Sequence, residues 1–195
     1  DALGETIQYS AKLEDSKVSC SLCAHRCVIP PGKKGICQVR ENQDGQLVSL
    51  VYGRAVSQAV DPIEKKPLFH FMPGSKAFSV ATVGCNFACS FCQNAEIAQM
   101  PRDDGRIVGR EAPPAELVAM AKQTGCASIA YTYTEPTVAF EYTLDAAKLA
   151  HAEGIKNVYV TNGFMTPEML GMFDPYLDAA NVDLKAFSDD FYRRV

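Results

Sequence analysis

Three cysteines crowd into one short stretch of this chain, Cys85, Cys89 and Cys92, at C-x3-C-x2-C spacing within residues 84–94. A loop that presents three thiols to one centre needs a rigid element to deliver it. The preceding run Ala77-Phe78-Ser79-Val80-Ala81-Thr82-Val83 is short, apolar and ended by Gly84, the pattern of a buried strand. Three thiolates suit three corners of a cubane iron–sulfur cluster and leave its fourth iron without a protein ligand. An open metal position acts on whatever binds there, whereas a fully ligated one serves structure or electron transfer. Zinc is the plainer alternative, but it wants four ligands. Neither His70, ahead of the strand, nor Cys126, entering the next strand from the opposite end, is placed to be the fourth.

The order strand, loop, helix repeats after this point. Pro114-Ala115-Glu116 opens a helix with Leu117, Met120 and Ala121 on its apolar face, stopped by Gly125. The pattern then predicts a strand at 127–133, a helix at 137–152 before Gly154, a strand at 157–161, a helix at 167–177 and a strand at 181–185. Residues 95–112 read as mostly irregular, because of Pro101 and Asp103-Asp104-Gly105. Alternating βα units build a parallel sheet covered by helices, with sites at the carboxyl ends of the strands. Here every exit carries polar or ligating residues: the cysteine loop, Thr134-Glu135, Thr161-Asn162-Gly163, and Asp183 with Lys185 on one strand face. Each has a plainer reading too. Glu135-Pro136 suits a helix start, Asn162-Gly163 a turn, and Asp183 with Lys185 a structural ion pair.

Residues 1–75 read as a separate module, and residues 76–195 as the α/β unit. The module carries Cys20, Cys23, Cys27 and Cys37, four thiols that can close a tetrahedral site once the Gly32-Lys33-Lys34-Gly35 turn folds the chain back. Structural zinc and a second, fully ligated iron–sulfur cluster both satisfy that spacing, and His25 can replace one ligand. Asn42-Gln43-Asp44-Gly45 marks a hairpin leading into a strand at 46–52, with another strand at 54–60. Asp61-Pro62 and Lys66-Pro67 break regular structure, and residues 72–75 form a linker turn. Phe69-His70-Phe71 packs the module against the next unit, His151 sits at a helix C-terminus, and Cys126 is a core residue.

Composition narrows the class. The chain has 195 residues, 47% of them hydrophobic and 22% charged, with no apolar run long enough to span a bilayer. Residues 1–15 lack the apolar segment of a secretory signal. A net charge of −4 argues against a dedicated nucleic-acid binder. Eight cysteines in a chain of this size, seven of them in two groups, point to metal ligands in a reducing, cytoplasmic setting rather than to disulfides. The first residue is Asp1, not Met, so the chain is expected to be a trimmed or partial one.

With these motifs in place the sequence resembles the radical S-adenosylmethionine (SAM) superfamily. The run Pro62-Ile63-Glu64-Lys65-Lys66-Pro67-Leu68-Phe69-His70-Phe71, with Gly84-Cys85-Asn86-Phe87, Cys92-Gln93-Asn94 and Tyr131-Thr132-Tyr133-Thr134-Glu135-Pro136-Thr137, is similar to the AmmeMemoRadiSam-system radical SAM enzymes. These are relatives of pyruvate formate-lyase activating enzyme. The resemblance implies a [4Fe-4S] cluster on Cys85, Cys89 and Cys92 whose open iron chelates SAM, with Phe91 beside the adenine. It implies Thr134 and Glu135 near the SAM amino group, Thr161 and Asn162 near the ribose and methionine part, and Asp183 and Lys185 near a cation or the methionine carboxylate. Val160 departs from the activating enzymes, which carry an aspartate there, and Tyr133-Thr134 replaces their two glycines. It also implies a one-electron donor such as flavodoxin or ferredoxin, and a radical that abstracts hydrogen from an unidentified substrate, in an activase-like reaction or on a small molecule or peptide. The family barrel continues further, so the chain matches an incomplete βα barrel of about four parallel strands preceded by the four-cysteine module. A non-catalytic iron–sulfur electron carrier and a zinc-stabilised interaction module remain the rival classes.

Overall fold

The computed structural model describes residues 10–194; residues 1–9 of the expected N-terminal module, including most of the span read for a secretory signal, lie outside the described residues, as does residue 195. The first elements among the described residues are β1 (Ser10–Lys12), β2 (Val18–Cys20) and β3 (Val28–Ile29), an antiparallel three-stranded sheet whose middle strand ends at Cys20. The hairpin β4 (Arg40–Gln43) and β5 (Gln46–Ser49) follows. Its turn places both Asp44 (φ 52°) and Gly45 (φ 83°) in the left-handed region, as a two-residue hairpin requires. Next come β6 (Arg54–Ala55), β7 (Ser57–Pro62) and β8 (Lys76–Ala81). After the cysteine loop come α1 (Ala95–Ala98), α2 (Met100–Asp103), β9 (Arg110–Glu111), α3 (Pro114–Gln123) and β10 (Ser128–Tyr131). The chain continues through α4 (Phe140–Ala152), β11 (Lys156–Thr161), α5 (Pro167–Phe173), β12 (Ala179–Val182) and α6 (Asp189–Tyr192).

The fold class is α/β. One five-stranded sheet runs in the order β12-β11-β10-β8-β7, with β8, β10, β11 and β12 parallel and β7 antiparallel on the edge. Alternation along the strands separates two faces. Phe78, Val80, Ile129, Tyr131 and Tyr159 point toward the helices and pack with Leu117, Phe140, Tyr142 and Phe173. Ala77, Ala130 and Val158 point the other way, where Ile63, Leu68 and Phe71 cover them. The segment after β7 therefore lies across the inner face of the sheet.

Several expectations need correction. The strand predicted at 54–60 is split, and its second half, β7, joins the main sheet beside β8. The fourth parallel strand ends at Val182, because its ladder partner Thr161 is the last residue of β11; Asp183 and Lys185 lie beyond it. Residues 95–112 hold two short helices and β9, since Pro101 sits in the first turn of α2, where a missing N–H costs nothing. The helix from Pro167 stops at Phe173, ahead of Pro175, which has no N–H with which to continue the helical ladder. Phe69 is 63% exposed and His70 is exposed, so only Phe71 of that run packs inward. His151 does sit in the last turn of α4, edge-on to Tyr176, and Cys126 is buried in the core.

Candidate functional site

The strand exits converge on one cleft of about 640 Å³. Cys85, Cys89 and Cys92 line it together with Phe91, Thr134, Glu135, Thr161, Asn162, Asp183 and Lys185, the whole set read from the sequence. The β8–α1 connection, residues 82–94, delivers the thiols, and Gly84 makes that possible. At φ 100° it passes so close to the hairpin region that a Cβ would lie 2.5 Å from Val39 Cγ1.

Glu135 is the hub of the opposite wall. It is only 2% exposed, and its Oε1 accepts from Thr137 N (3.1 Å), Thr137 Oγ1 (2.6 Å) and Thr161 Oγ1 (2.8 Å). Its Oε2 accepts from Asn162 N at 2.8 Å. Burial pushes the Glu135 carboxyl above its ordinary value, and these hydrogen bonds oppose that push. The side chain ties the ends of β10 and β11 together, and Oε2 retains acceptor capacity. Asn162 carries the connection on to the cysteine loop, donating from Nδ2 to Asn86 Oδ1 at 2.7 Å. Thr134 donates to Thr82 O at 2.8 Å and so joins the ends of β8 and β10.

On the remaining side, Lys185 donates to Asp183 Oδ2 and Asn181 donates to Asp183 Oδ1, each at 2.7 Å. Burial lowers the Lys185 ammonium, but Asp183 and the nearby Cys89 and Cys85 raise it overall. The Cys89 thiol is raised by burial and drawn down by Lys185, so this lysine faces the cysteine loop. Phe91 is 57% exposed and stacks on Phe191 of α6, with ring centroids 5.7 Å apart.

Burial pushes the Cys85 thiol up to about 12. Next to it, Asn86 is 1% exposed, its Oδ1 lies 3.8 Å from Cys85 Sγ, and its Nδ2 has no hydrogen-bond partner among the described residues. A buried orphan N–H beside a thiol is costly unless a further acceptor arrives, and cluster or thiolate sulfur is such an acceptor. Three thiols on one loop, an orphan donor among them and a polar cleft in front fit a [4Fe-4S] cluster with one open iron and SAM across it.

The other four cysteines line a separate cavity of about 20 Å³, with Leu22, Ile29 and Val138 as apolar neighbours. Burial pushes Cys23 up to about 12 and Cys37 up to about 11, while Arg40 pulls Cys37 down. Arg40, which lines the cavity, is 2% exposed and forms a two-point ion pair with Glu141 (3.0 and 2.6 Å), yet its Nε has no partner among the described residues. Among the described residues no three His, Cys, Asp or Glu side chains are gathered to hold one metal ion. His25, from the same loop, reaches away to the other group: Nε2 lies 2.8 Å from Asn86 O. A carbonyl only accepts, so Nε2 carries the proton.

Comparison with known proteins decides the family. The family model described as Radical SAM superfamily matches residues 79–195. The chain belongs to the radical SAM superfamily. An uncharacterized protein of Methanocaldococcus jannaschii, MJ0808, is 46% identical over 184 residues, covering 94% of this chain and 54% of that protein. The chain thus spans about half the length of the curated relative it matches. A radical SAM domain is built for a [4Fe-4S] cluster and SAM, the groups that the cleft fits. No helix among the described residues is long and apolar enough to cross a membrane.

Sequence reasoning gave no role to a further set of groups lining or backing the cleft. Asp61, on β7, accepts from Lys65 (2.8 Å), Lys66 (2.8 Å), Ser79 (2.7 Å) and, through a short bond, Tyr133. Burial alone would raise the Asp61 carboxyl; the four donors outweigh it and hold the group well below the usual carboxylate range. Tyr133 sits at φ 67° inside a three-residue turn closed by Thr134 N to Thr132 O (2.8 Å), a strained conformation for a tyrosine. Its carbonyl accepts from Asn94 Nδ2 at 2.9 Å, back to the cysteine loop. The unusual Lys65-Lys66 pair before Pro67 was the available signal.

Proposed function

We propose that the chain is the SAM-binding part of a radical SAM enzyme of the AmmeMemoRadiSam-system type, related to glycyl-radical activating enzymes. The observation that carries this is the convergence of Cys85, Cys89 and Cys92 with Glu135, Thr161, Asn162, Asp183 and Lys185 on one cleft at the carboxyl ends of parallel strands. When bound, the cluster supplies the electron that cleaves SAM to methionine and a 5′-deoxyadenosyl radical, which takes hydrogen from a substrate. The protein's part is to hold and orient. Lys185, braced by Asp183, presents a cation to the methionine carboxylate; Oε2 of Glu135 and the carbonyl of strained Tyr133 present acceptors to its ammonium group. Phe91 offers its exposed face to the adenine.

In this reading residues 76–195 are an incomplete βα barrel and residues 1–75 a four-cysteine module. The module holds zinc or a second iron–sulfur cluster on Cys20, Cys23, Cys27 and Cys37, and a cavity of about 20 Å³, room for one water-sized sphere, favours the single ion. The electron comes from a cytoplasmic one-electron donor such as flavodoxin or ferredoxin, and the target is a protein, peptide or small molecule rather than nucleic acid. The test is anaerobic reconstitution of the full-length protein with dithionite and SAM. It should form 5′-deoxyadenosine, with iron and sulfide lost when the three loop cysteines become alanine; no product, with iron content unchanged in that variant, would overturn the proposal.

A further inference from the structure

The cleft has a second polar centre that cluster and SAM ligation do not use. Of its charged lining groups, Asp183 is neutralised by Lys185, and Glu135 is enclosed by Thr137, Thr161 and Asn162. On another part of the wall the balance is different: two lysines share one carboxylate. Lys66 is 1% exposed, donates to Asp61 Oδ2 at 2.8 Å and lies 4.5 Å from the centre of the Tyr133 ring. Those contacts fix it in place and neutralise Asp61. Ser79 and Tyr133 fill further acceptor sites on the same oxygen. Lys65 is then the surplus cation. Its side chain is 58% exposed, it lines the cleft, and among the described residues its one hydrogen bond is to an aspartate already served by three other donors. An isolated structural ion pair needs one lysine. Two lysines and one carboxylate at a cleft wall leave one positive charge for a ligand.

Position decides which ligand. The layer made by Asp61, Lys66, Ser79 and Tyr133 joins the inner face of the sheet, where Ile63, Leu68 and Phe71 cover Ala77, Ala130 and Val158, to the cleft. Strained Tyr133 belongs to both networks, with its hydroxyl on Asp61 and its carbonyl on Asn94 of the cysteine loop. A molecule held by Lys65 would therefore sit beside the SAM position and within the same enclosure.

We propose that Lys65, backed by the Lys66–Asp61–Tyr133 layer, binds an anionic group, a carboxylate or a phosphate, of the molecule on which the radical acts. This rests on the radical SAM reading and adds a substrate class to it. Lys65 exchanges its bond to Asp61 for one to the ligand, and Lys66 keeps Asp61 compensated when it does so.

The test is titration calorimetry of the full-length, unreduced protein with inorganic phosphate and with succinate, each with and without saturating SAM. One or both probes should bind, with SAM present as well as absent. Lys65→Met, a change at an exposed side chain, should weaken binding by about tenfold or more, the value of one charge-assisted contact. Asp61→Asn should strengthen it, because the competing carboxylate is gone; a purely structural network predicts no such gain. Binding of neither probe, or equal binding by wild type and both variants, overturns the proposal. Displacement of the probe by SAM also overturns it, since the anion site would then be SAM's own. Formation of 5′-deoxyadenosine by the wild type is scored separately: its absence alongside Lys65-dependent anion binding defeats the radical SAM reading and leaves the anion site standing.

Discussion

Cys20, Cys23, Cys27 and Cys37 line about 20 Å³ of largely apolar space, while Cys85, Cys89 and Cys92 open onto about 640 Å³ walled by carboxylates, amides and three lysines. Each group has one buried N–H donor without a partner among the described residues, Arg40 Nε in the first and Asn86 Nδ2 in the second. What separates them is ligand count and surroundings. In the proposed reading, four thiols over a buried Arg40–Glu141 pair would make a centre complete in itself, suited to holding the N-terminal residues together. Three thiols facing a polar cleft make a centre that is finished only by something arriving from solvent.

The sharpest way to break this comparison is to remove each group. Changing Cys85, Cys89 and Cys92 to alanine should abolish 5′-deoxyadenosine formation and leave the melting temperature nearly as it was. If the other four hold a structural metal as proposed, changing them should unfold the N-terminal residues, since such metal binding contributes on the order of 10 kcal/mol. Metal and sulfide analysis with circular dichroism on both variants checks it, and the opposite pattern would reverse the two roles.

A second prediction concerns the ion pair under the closed group. The Arg40 and Glu141 side chains are 2% and 10% exposed, so Glu141→Gln strands a buried cation and should cost about 3–5 kcal/mol in urea unfolding. The double change Arg40→Met, Glu141→Leu should recover most of that, because it leaves no uncompensated charge.

Nothing in the sequence announced that pair. Arg40 and Glu141 are 101 positions apart, and each looks like a surface residue of its own element. The four parallel strands were legible because short apolar runs bounded by glycine and proline are local signals. The cleft was legible because chain order places every strand exit on one edge of such a sheet. What escaped depended on long-range register. Asp61 reaches Tyr133 only because β7 turns back along β8, and Asp183 leaves the strand only because β11 ends at Thr161. Neither fact is encoded within a window of a few residues.

The two groups also touch, and a smaller effect should appear where they do. Gly84, one residue before Cys85, lies against Val39 and the carbonyl of Cys37. Gly84→Ala introduces a left-handed alanine and a Cβ 2.5 Å from Val39 Cγ1, so about 1–3 kcal/mol of stability should be lost. Adding Val39→Ala removes the steric part and leaves the backbone part, and urea unfolding of the single and double variants separates the two.

The smallest effect tests whether contact amounts to coupling. His25 belongs to the closed group by sequence, yet its ring donates to the carbonyl of Asn86 at 2.8 Å and packs edge-on to Phe164 at 4.9 Å. His25→Phe keeps the packing and removes the donor, so it should cost about 0.5–1.5 kcal/mol, the value of one hydrogen bond. His25→Ala loses both and should cost more. Because Asn86 also holds Asn162 and lies beside Cys85, the loss should register in the open group as a changed EPR spectrum of the reduced cluster at constant iron content. If both variants lose stability while that spectrum stays the same, the closed group supports the open one only as a scaffold. A changed spectrum in His25→Phe would mean that the orientation of the Asn86 peptide, set from the closed group, reaches the sulfur environment of the open one.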